Sequence, residues 1–289
     1  MQKDIQNYDF KPGLPQEFEI LDLALLYKDF AEELTTPHRA EFYQILWFKK
    51  GNLTHLVDFN PIKIEPNTLL FINKNSVQKF DKTAKFDGKS ILFTDNFFCK
   101  TETDTKFLRN SILFNDLLSI SKIQIANKNS IFEDFFKFLE LELSNDQDSY
   151  QSEVLQNYLR NFLLLSERER KKQDFIEVKK DTDLDFVIHF KDLLEAQFQH
   201  QKMVSNYASQ MNITIKRLNK ATSKILGKTP KQMIDARIVL EAKRLLAHTN
   251  NSVKEIGFKI GFNEPTNFIK YFRKHHNSTP ISFRESFKH

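Results

Sequence analysis

The chain has 289 residues, 40% of them apolar and 28% charged, with a net charge of +5, 29 phenylalanines and one cysteine. That length predicts about two domains, and a lone Cys99 excludes an intramolecular disulfide and argues against a cysteine-based metal site. No apolar run approaches the ~18 residues of a membrane span, and the opening MQKDIQNYDF lacks the apolar core of a secretory signal, so a cytoplasmic protein is expected.

Charge is unevenly spread. From residue 182 onward there are 18 Lys and Arg against 9 Asp and Glu, a net +9, while residues 1–181 hold 25 against 29, a net −4. A basic C-terminal region beside a slightly acidic N-terminal one predicts a polyanionic partner for the former. Solvated lysine faces explain any one lysine but not the asymmetry.

Residues 1–30 read as irregular, broken by Pro12-Gly13 and Pro15, with a partly strand-like alternation from Phe18 to Phe30. From His38 the β signal strengthens. Phe42–Phe48 is aromatic and branched, Lys50-Gly51-Asn52 is a hairpin turn, and Leu53–Phe59 is a second strand. Asn60-Pro61 and Pro66-Asn67 bracket a third, Ile62–Glu65, and Leu69–Ile72 and Ser90–Thr94 continue the series. Short strands at close spacing predict a small all-β barrel or double sheet. After Thr103 the pattern turns helical. Phe107, Leu108, Ile112, Leu113, Leu117 and Leu118 form one stripe, Phe132, Phe135, Phe136, Leu139 and Leu143 a second, and Val154 to Leu165 a third. These stripes follow a complete β domain, so one face is expected to meet a second subunit. Glu167–Lys180 reads as a charged connector.

Leu184–Phe198 is a core helix. Val204–Met211 is a short helix, Asn212 and Ile213 a turn, and Thr214 caps a helix ending at Gly227. Thr229 and Gln232 form a capping box around Pro230, opening a helix to about Ala247 with apolar residues on two faces. Ser252 and Glu255 form another box. Val253, Ile256, Gly257 and Ile260 share a face, Gly261 turns the chain with φ > 0, and Pro265 opens a helix carrying Phe268 and Phe272. Two such helix-turn-helix units, about 50 residues apart, can each place a second helix in the DNA major groove.

The stretch Val204–Arg284 resembles the DNA-binding domain of AraC/XylS-type transcription regulators. The resemblance rests on Tyr207-Ala208, Leu218-Asn219, Gly227–Pro230, Glu241–Leu246, Ser252–Gly257, Gly261-Phe262, Phe268, Phe272–Lys274, Thr279-Pro280 and Phe283-Arg284. The N-terminal region resembles the cupin-like sensor domain of such regulators through Pro37-His38, Glu41–Tyr43, Gly51, Asp58-Phe59, Pro66–Leu69 and Ile91–Phe93. The resemblance implies an α+β multidomain chain. A cupin-like β-barrel (jelly roll) occupies 1–104, a helical dimerisation segment 105–170, a linker 171–182 and an all-α double helix-turn-helix domain 183–289. It further implies a small-molecule effector, a homodimer, double-stranded promoter or operator DNA and RNA polymerase as partners, no membrane, and a place at the nucleoid when bound to DNA.

Carried over residue by residue, the resemblance points to Lys216, Arg217, Asn219 and Lys220 on the first recognition helix and Pro265, Thr266, Asn267 and Lys270 on the second. Arg273, Lys274 and Lys254 are assigned to phosphate. Lys216 and Lys220 suit guanine and Asn219 adenine, or the lysines touch phosphate alone. Pro265 lacks a polar group, which leaves the second helix the poorer reader. The implied effector pocket takes in His38, Glu41, Tyr43 and Gln78, with His38 and Glu41 at its mouth or as a surface pair. Metal-binding cupins use a His-x-His pair, a Glu and a later His. Arg39 and Ala40 follow His38, and Gln78 holds the later position, so no metal, cofactor or catalysis is expected. Two rivals remain: a cupin metalloenzyme fused to a DNA-binding tail, which the missing ligands oppose, and an alkyl-transfer repair protein, which needs a nucleophilic cysteine.

Overall fold

The computed structural model describes residues 4–83, 85–114, 120–126, 131–173 and 181–287. Two compact units emerge, Gln6–Glu177 and Val178–His289, the second also taking in Met1–Ile5. Expectations for Leu117, Leu118 and connector residues 174–180 lie outside the described residues.

The first unit opens with β1 (Gln6–Tyr8), β2 (Phe18–Asp22), α1 (Leu23–Asp29), α2 (Ala31–Leu34) and β3 (His38–Ala40). β4 (Tyr43–Lys50), β5 (Leu53–Val57), β6 (Asn60–Ile64), β7 (Thr68–Ile72), β8 (Gln78–Lys79) and β9 (Asp87–Phe93) follow. Then come α3 (Asp95–Phe98), α4 (Glu102–Asn110), β10 (Lys122–Gln124), α5 (Ile131–Ser144) and α6 (Gln151–Lys171). The strands form two five-stranded sheets, ordered β1-β3-β8-β5-β6 and β10-β7-β4-β9-β2.

Three local readings change. The alternation from Phe18 stops at Asp22, whose carboxylate accepts from Leu25 N and starts α1, so a helix replaces the strand's second half. The turn after β5 falls at Asp58 and Phe59, with φ of 46° and 66°, rather than at Asn60-Pro61. Pro61 lies inside β6, opposite Leu56, and is tolerated because β6 is the sheet's edge. The stripe from Phe107 is interrupted when α4 ends at Asn110, and β10 pairs antiparallel with β7 inside the segment expected to be helical.

Strand β4 explains why residues 42–48 read as one apolar run. Ile45 and Trp47 face α5 and α6, and the Trp47 ring centroid lies 5.0 Å from that of Phe136. Leu46 and Phe48 face the other way, into a cluster shared with Leu53, Val57 and Ile64 of the second sheet. Both faces are covered, so alternation vanishes. The inner stripes of α5 and α6 (Phe132, Phe136, Leu139, Leu155, Phe162) belong to this same core. Each such side chain contributes roughly 1.5–3 kcal/mol on burial. The helices are therefore part of the β unit, not a segment beside it.

One polar line crosses the inter-sheet interior. Gln78 Nε2 donates to Gln44 Oε1 at 2.9 Å, and Gln78 Oε1 meets His55 Nε2 at 2.8 Å. A carbonyl oxygen accepts, so Nε2 carries the imidazole proton. His55 is 0% exposed, lies edge-on to Phe80, and its Nδ1 has no partner among the described residues. Burial lowers its pKa to about 4, against a smaller raising effect of Gln78.

The second unit is helical: α7 (Thr182–Gln197), α8 (Val204–Gln210), α9 (Ile215–Leu226), α10 (Pro230–His248), α11 (Val253–Lys259), α12 (Pro265–His276) and α13 (Pro280–Glu285). Thr214 caps α9, both expected capping boxes form, and Gly227 and Gly261 take φ of 64° and 79°. The two turns match: Ile213 N donates to Ala208 O and Phe262 N to Gly257 O.

The low pKa of His55 sets a pH dependence. An unfolded histidine takes up its proton near pH 6.5 and the folded one only near 4, so stability is full above 6.5 and declines as pH falls to 4. The shift corresponds to roughly 3 kcal/mol. Urea unfolding of wild type and His55→Leu between pH 7.5 and 4 should show a shallower decline for the variant. Parallel curves would contradict it.

Candidate nucleic-acid interface

The first helix-turn-helix buries Leu218, Ala221 and Thr222 of α9 beneath α7 and α8. Of the opposite face, Lys216 and Lys220 are exposed and make no ion pair among the described residues. Arg217 is committed inward: its guanidinium pairs with Asp183 of α7 and lies 4.7 Å from the Phe186 ring centroid. Lys224 adds bonds of 2.6 Å to Asp181 and 2.7 Å to Asp183. Lys224 first, and Arg217 second, hold the Asp183 carboxyl below the usual carboxylate range. Asn219 is half-buried, and its Nδ2 donates to Ile215 O at 3.0 Å, so its amide is partly occupied within its own helix.

The second motif buries Phe268 and Phe272 of α12 against α10 and α11. Gly257 allows this close packing: a Cβ there would lie 3.2 Å from Phe268 Cβ, a tight contact. Thr266, Asn267, Lys270, Arg273 and Lys274 are all exposed, while Pro265 is half-buried in the first turn. Arg273 and Lys274 also sit in the last turn, where cations complement the helix dipole without any DNA. Lys254 is exposed in the first turn of α11, its ammonium 5.9 Å from the Phe258 ring centroid. Glu264, the exposed N-cap of α12, makes no side-chain cap bond and sets a negative charge at the start of that helix.

In the β unit, His38 and Gln78 do come together as paired residues of β3 and β8. Glu41 is exposed, and Tyr43 points to the other face of β4, donating to Asp95 at 3.1 Å. The pocket set of four therefore divides, and His38, which is buried and bonded to Thr36 O at 2.9 Å, makes no surface pair with Glu41. Gln78 bonds His55 and Gln44 instead, and alternation along β5 places His55 inward with Leu53 and Val57. Among the described residues, no group of three or more His, Cys, Asp or Glu is placed to hold a metal. Burial pushes the Cys99 thiol up, away from nucleophilic character. No described helix is long and apolar enough to cross a membrane.

Residues 207–286 match the helix-turn-helix domain family. Among curated proteins, the chain is 21% identical over 284 residues to an HTH-type transcriptional activator RhaS of Shigella flexneri serotype 5b, covering 97% of this chain and 96% of the relative. The RhaS activator of Escherichia coli O139:H28 is 20% identical over 251 residues, covering 86% and 87%. Among solved structures, ToxT from Vibrio cholerae (P21 form) is similar at a TM-score of 0.44 and 14% identity, covering 95% of this chain and 96% of that one. An AraC-type DNA-binding protein from Chromobacterium violaceum is similar at 0.34 and 23%, over 36% and 94%. The ordered caps and turns, the domain match over residues 207–286 and the end-to-end alignment with transcriptional activators make this chain a helix-turn-helix, DNA-binding transcription regulator similar to those activators.

Proposed function

We propose that α9 and α12 enter successive major grooves of one operator, and that the protein activates transcription in the cytoplasm in contact with RNA polymerase. The observation that carries the two-groove reading is the pair of exposed cationic faces, Lys216 and Lys220 on one helix and Lys270, Arg273 and Lys274 on the other. The buried supports beneath both faces are built alike. Lys220 reads a base, with Lys216 and Asn219 beside it; Thr266, Asn267 and Lys270 are the second reading set, and Lys254, Arg273 and Lys274 hold phosphate. Arg217 positions α9 through Asp183.

The line His38, Gln78, His55 and Gln44 supports a small polar effector within the β unit. A hydrogen-bonding ligand is the natural partner of the unsatisfied His55 Nδ1 and the unsatisfied Ser90 Oγ. Dimerisation is supported by apolar residues that the core leaves outside. Ile131, Phe138 and Leu141 share one face of α5 at i, i+7 and i+10, and Leu141 is 62% exposed. Phe138 stacks on Tyr158 of α6 with ring centroids 5.7 Å apart.

Residues 182–289 alone should bind duplex DNA with a steep salt dependence; a flat plot of log K against log[salt] would overturn the reading. Lys220→Ala should weaken specific binding by roughly 1–3 kcal/mol and relax one or two base positions. Lys274→Ala should weaken all sequences alike and lower the salt slope by about one. Selection from random duplexes decides it: an unchanged motif with Lys220→Ala and an altered one with Lys274→Ala would reverse the assignment. For the dimer, sedimentation at micromolar concentration should give a dimer for wild type and a monomer for Phe138→Glu with Leu141→Glu. A wild-type monomer that persists with DNA present would contradict the interface.

A further inference from the structure

The linker helix α10 is one tie between the two helix-turn-helix motifs, and a second lies at the turn that precedes α12. Lys202, in the loop between α7 and α8, donates to Gln199 O at 2.7 Å and to Gly261 O at 2.8 Å. One ammonium thus clamps the loop of the first motif to the turn of the second. The approach is close, since a Cβ on Gly261 would lie 1.7 Å from Gln199 O. The Lys202 ammonium also lies 5.1 Å from the Phe262 ring centroid.

From Phe262 the contacts continue along α12. Tyr271 packs edge-on to Phe262 at 5.1 Å, and its hydroxyl donates to Asp235 of α10. Lys231 donates to the same carboxylate at 2.6 Å. The His275 ring lies 4.6 Å from that of Tyr271, with Nε2 3.7 Å from Asp235 Oδ2. Asp235 is buried. The cluster therefore grips α12 at its preceding turn and along one side, from two different elements.

We propose that this cluster fixes the offset between α9 and α12, so that Lys202, Tyr271 and Asp235 are positioning residues that set which spacing between half-sites the protein accepts. The inference rests on the two-groove reading above. A single helix can twist or bend at its ends, whereas a second tie at the turn before α12 removes that freedom. Loss of the clamp should leave base preference within each half-site intact, because no cluster residue belongs to the proposed reading set.

The test uses the full chain and duplex libraries in which two random half-sites are separated by variable spacers. Wild type should enrich one centre-to-centre spacing, near one helical turn, and disfavour a one-base-pair change by about tenfold or more, a factor within the deformation costs of DNA. The double variant Lys202→Met and Tyr271→Phe should reduce that discrimination to under about threefold with unchanged base preferences. Lys202→Arg, which can still donate to both carbonyls, should restore it. Tyr271→Phe alone keeps the ring, so it reports the same shift, in smaller measure, in a chain with a native core. An unchanged spacing preference in a folded double variant would overturn the clamp while leaving the two-groove reading in place. A wild-type protein that enriches only one half-site would overturn both.

Discussion

The C-terminal unit depends on a helix most of whose residues are buried. Helix α10 meets α7 and α9 on one side and α11, α12 and α13 on the other, so Ile234, Ile238, Ala242, Leu245 and Leu246 are all buried. A helix so enclosed must also bury charge, and the charges are arranged in a chain. Arg244 bonds Glu241 at 2.9 Å, Arg237 bonds Glu241 at 3.2 Å and Glu195 of α7 at 2.8 Å, and Arg237 covers the Phe198 ring at 3.9 Å. Such a network adds little net stability over well-packed apolar residues, but removing one member leaves an uncompensated buried charge at a cost of about 3–5 kcal/mol. Of these bonds, that of Arg237 to Glu195 leaves α10 and ties it to α7.

The sequence shows best what is local. Ser252 with Glu255, Thr229 with Gln232, and Gly227 and Gly261 after their helices are each decided within four residues, and each forms as the residue types require. What the sequence conceals is non-local. The two residues of β8 pair with both β3 and β5, and β10 pairs with β7 and bonds Gln173 after α6; strands so short carry no pattern of their own. Pro61 misled because its tolerance depends on β6 being an edge. The same division runs through the candidate sites. Lys216 and Lys220 are visible from helical spacing. That Arg217 is occupied depends on Asp183, 34 residues away, and the company of Gln78 depends on strand pairing that brings His55 and Gln44 to it.

Within the β unit, one strand serves two unlike interiors. β4 presents Ile45 and Trp47 to an aromatic, largely apolar layer under α5 and α6, and Gln44, Leu46 and Phe48 to an inter-sheet space with a polar end. Apolar packing of the first kind resists change because any substitution leaves a void or a clash. The second holds hydrogen-bonding groups whose best arrangement depends on what shares the space.

Net charge overstates what is available to DNA. Of the cations beyond residue 181, Arg217 and Lys224 neutralise Asp181 and Asp183, Lys231 serves Asp235, Arg237 and Arg244 serve Glu241, and Lys202 is spent on two carbonyls. Arg284 likewise donates to Leu246 O and Asn251 O. The proposed contacts that remain turned outward are Lys216, Lys220, Lys254, Lys270, Arg273 and Lys274. Were all six to displace counterions, the slope of log K against log[salt] would reach about −5 per chain, since each phosphate neutralised contributes about −0.9. A count from the +9 charge alone would suggest a steeper line. The internal ion pairs thus have a functional consequence: they organise the helices with the same residue types that bind phosphate, and so leave a small set of cations whose positions, rather than whose number, decide where the protein sits.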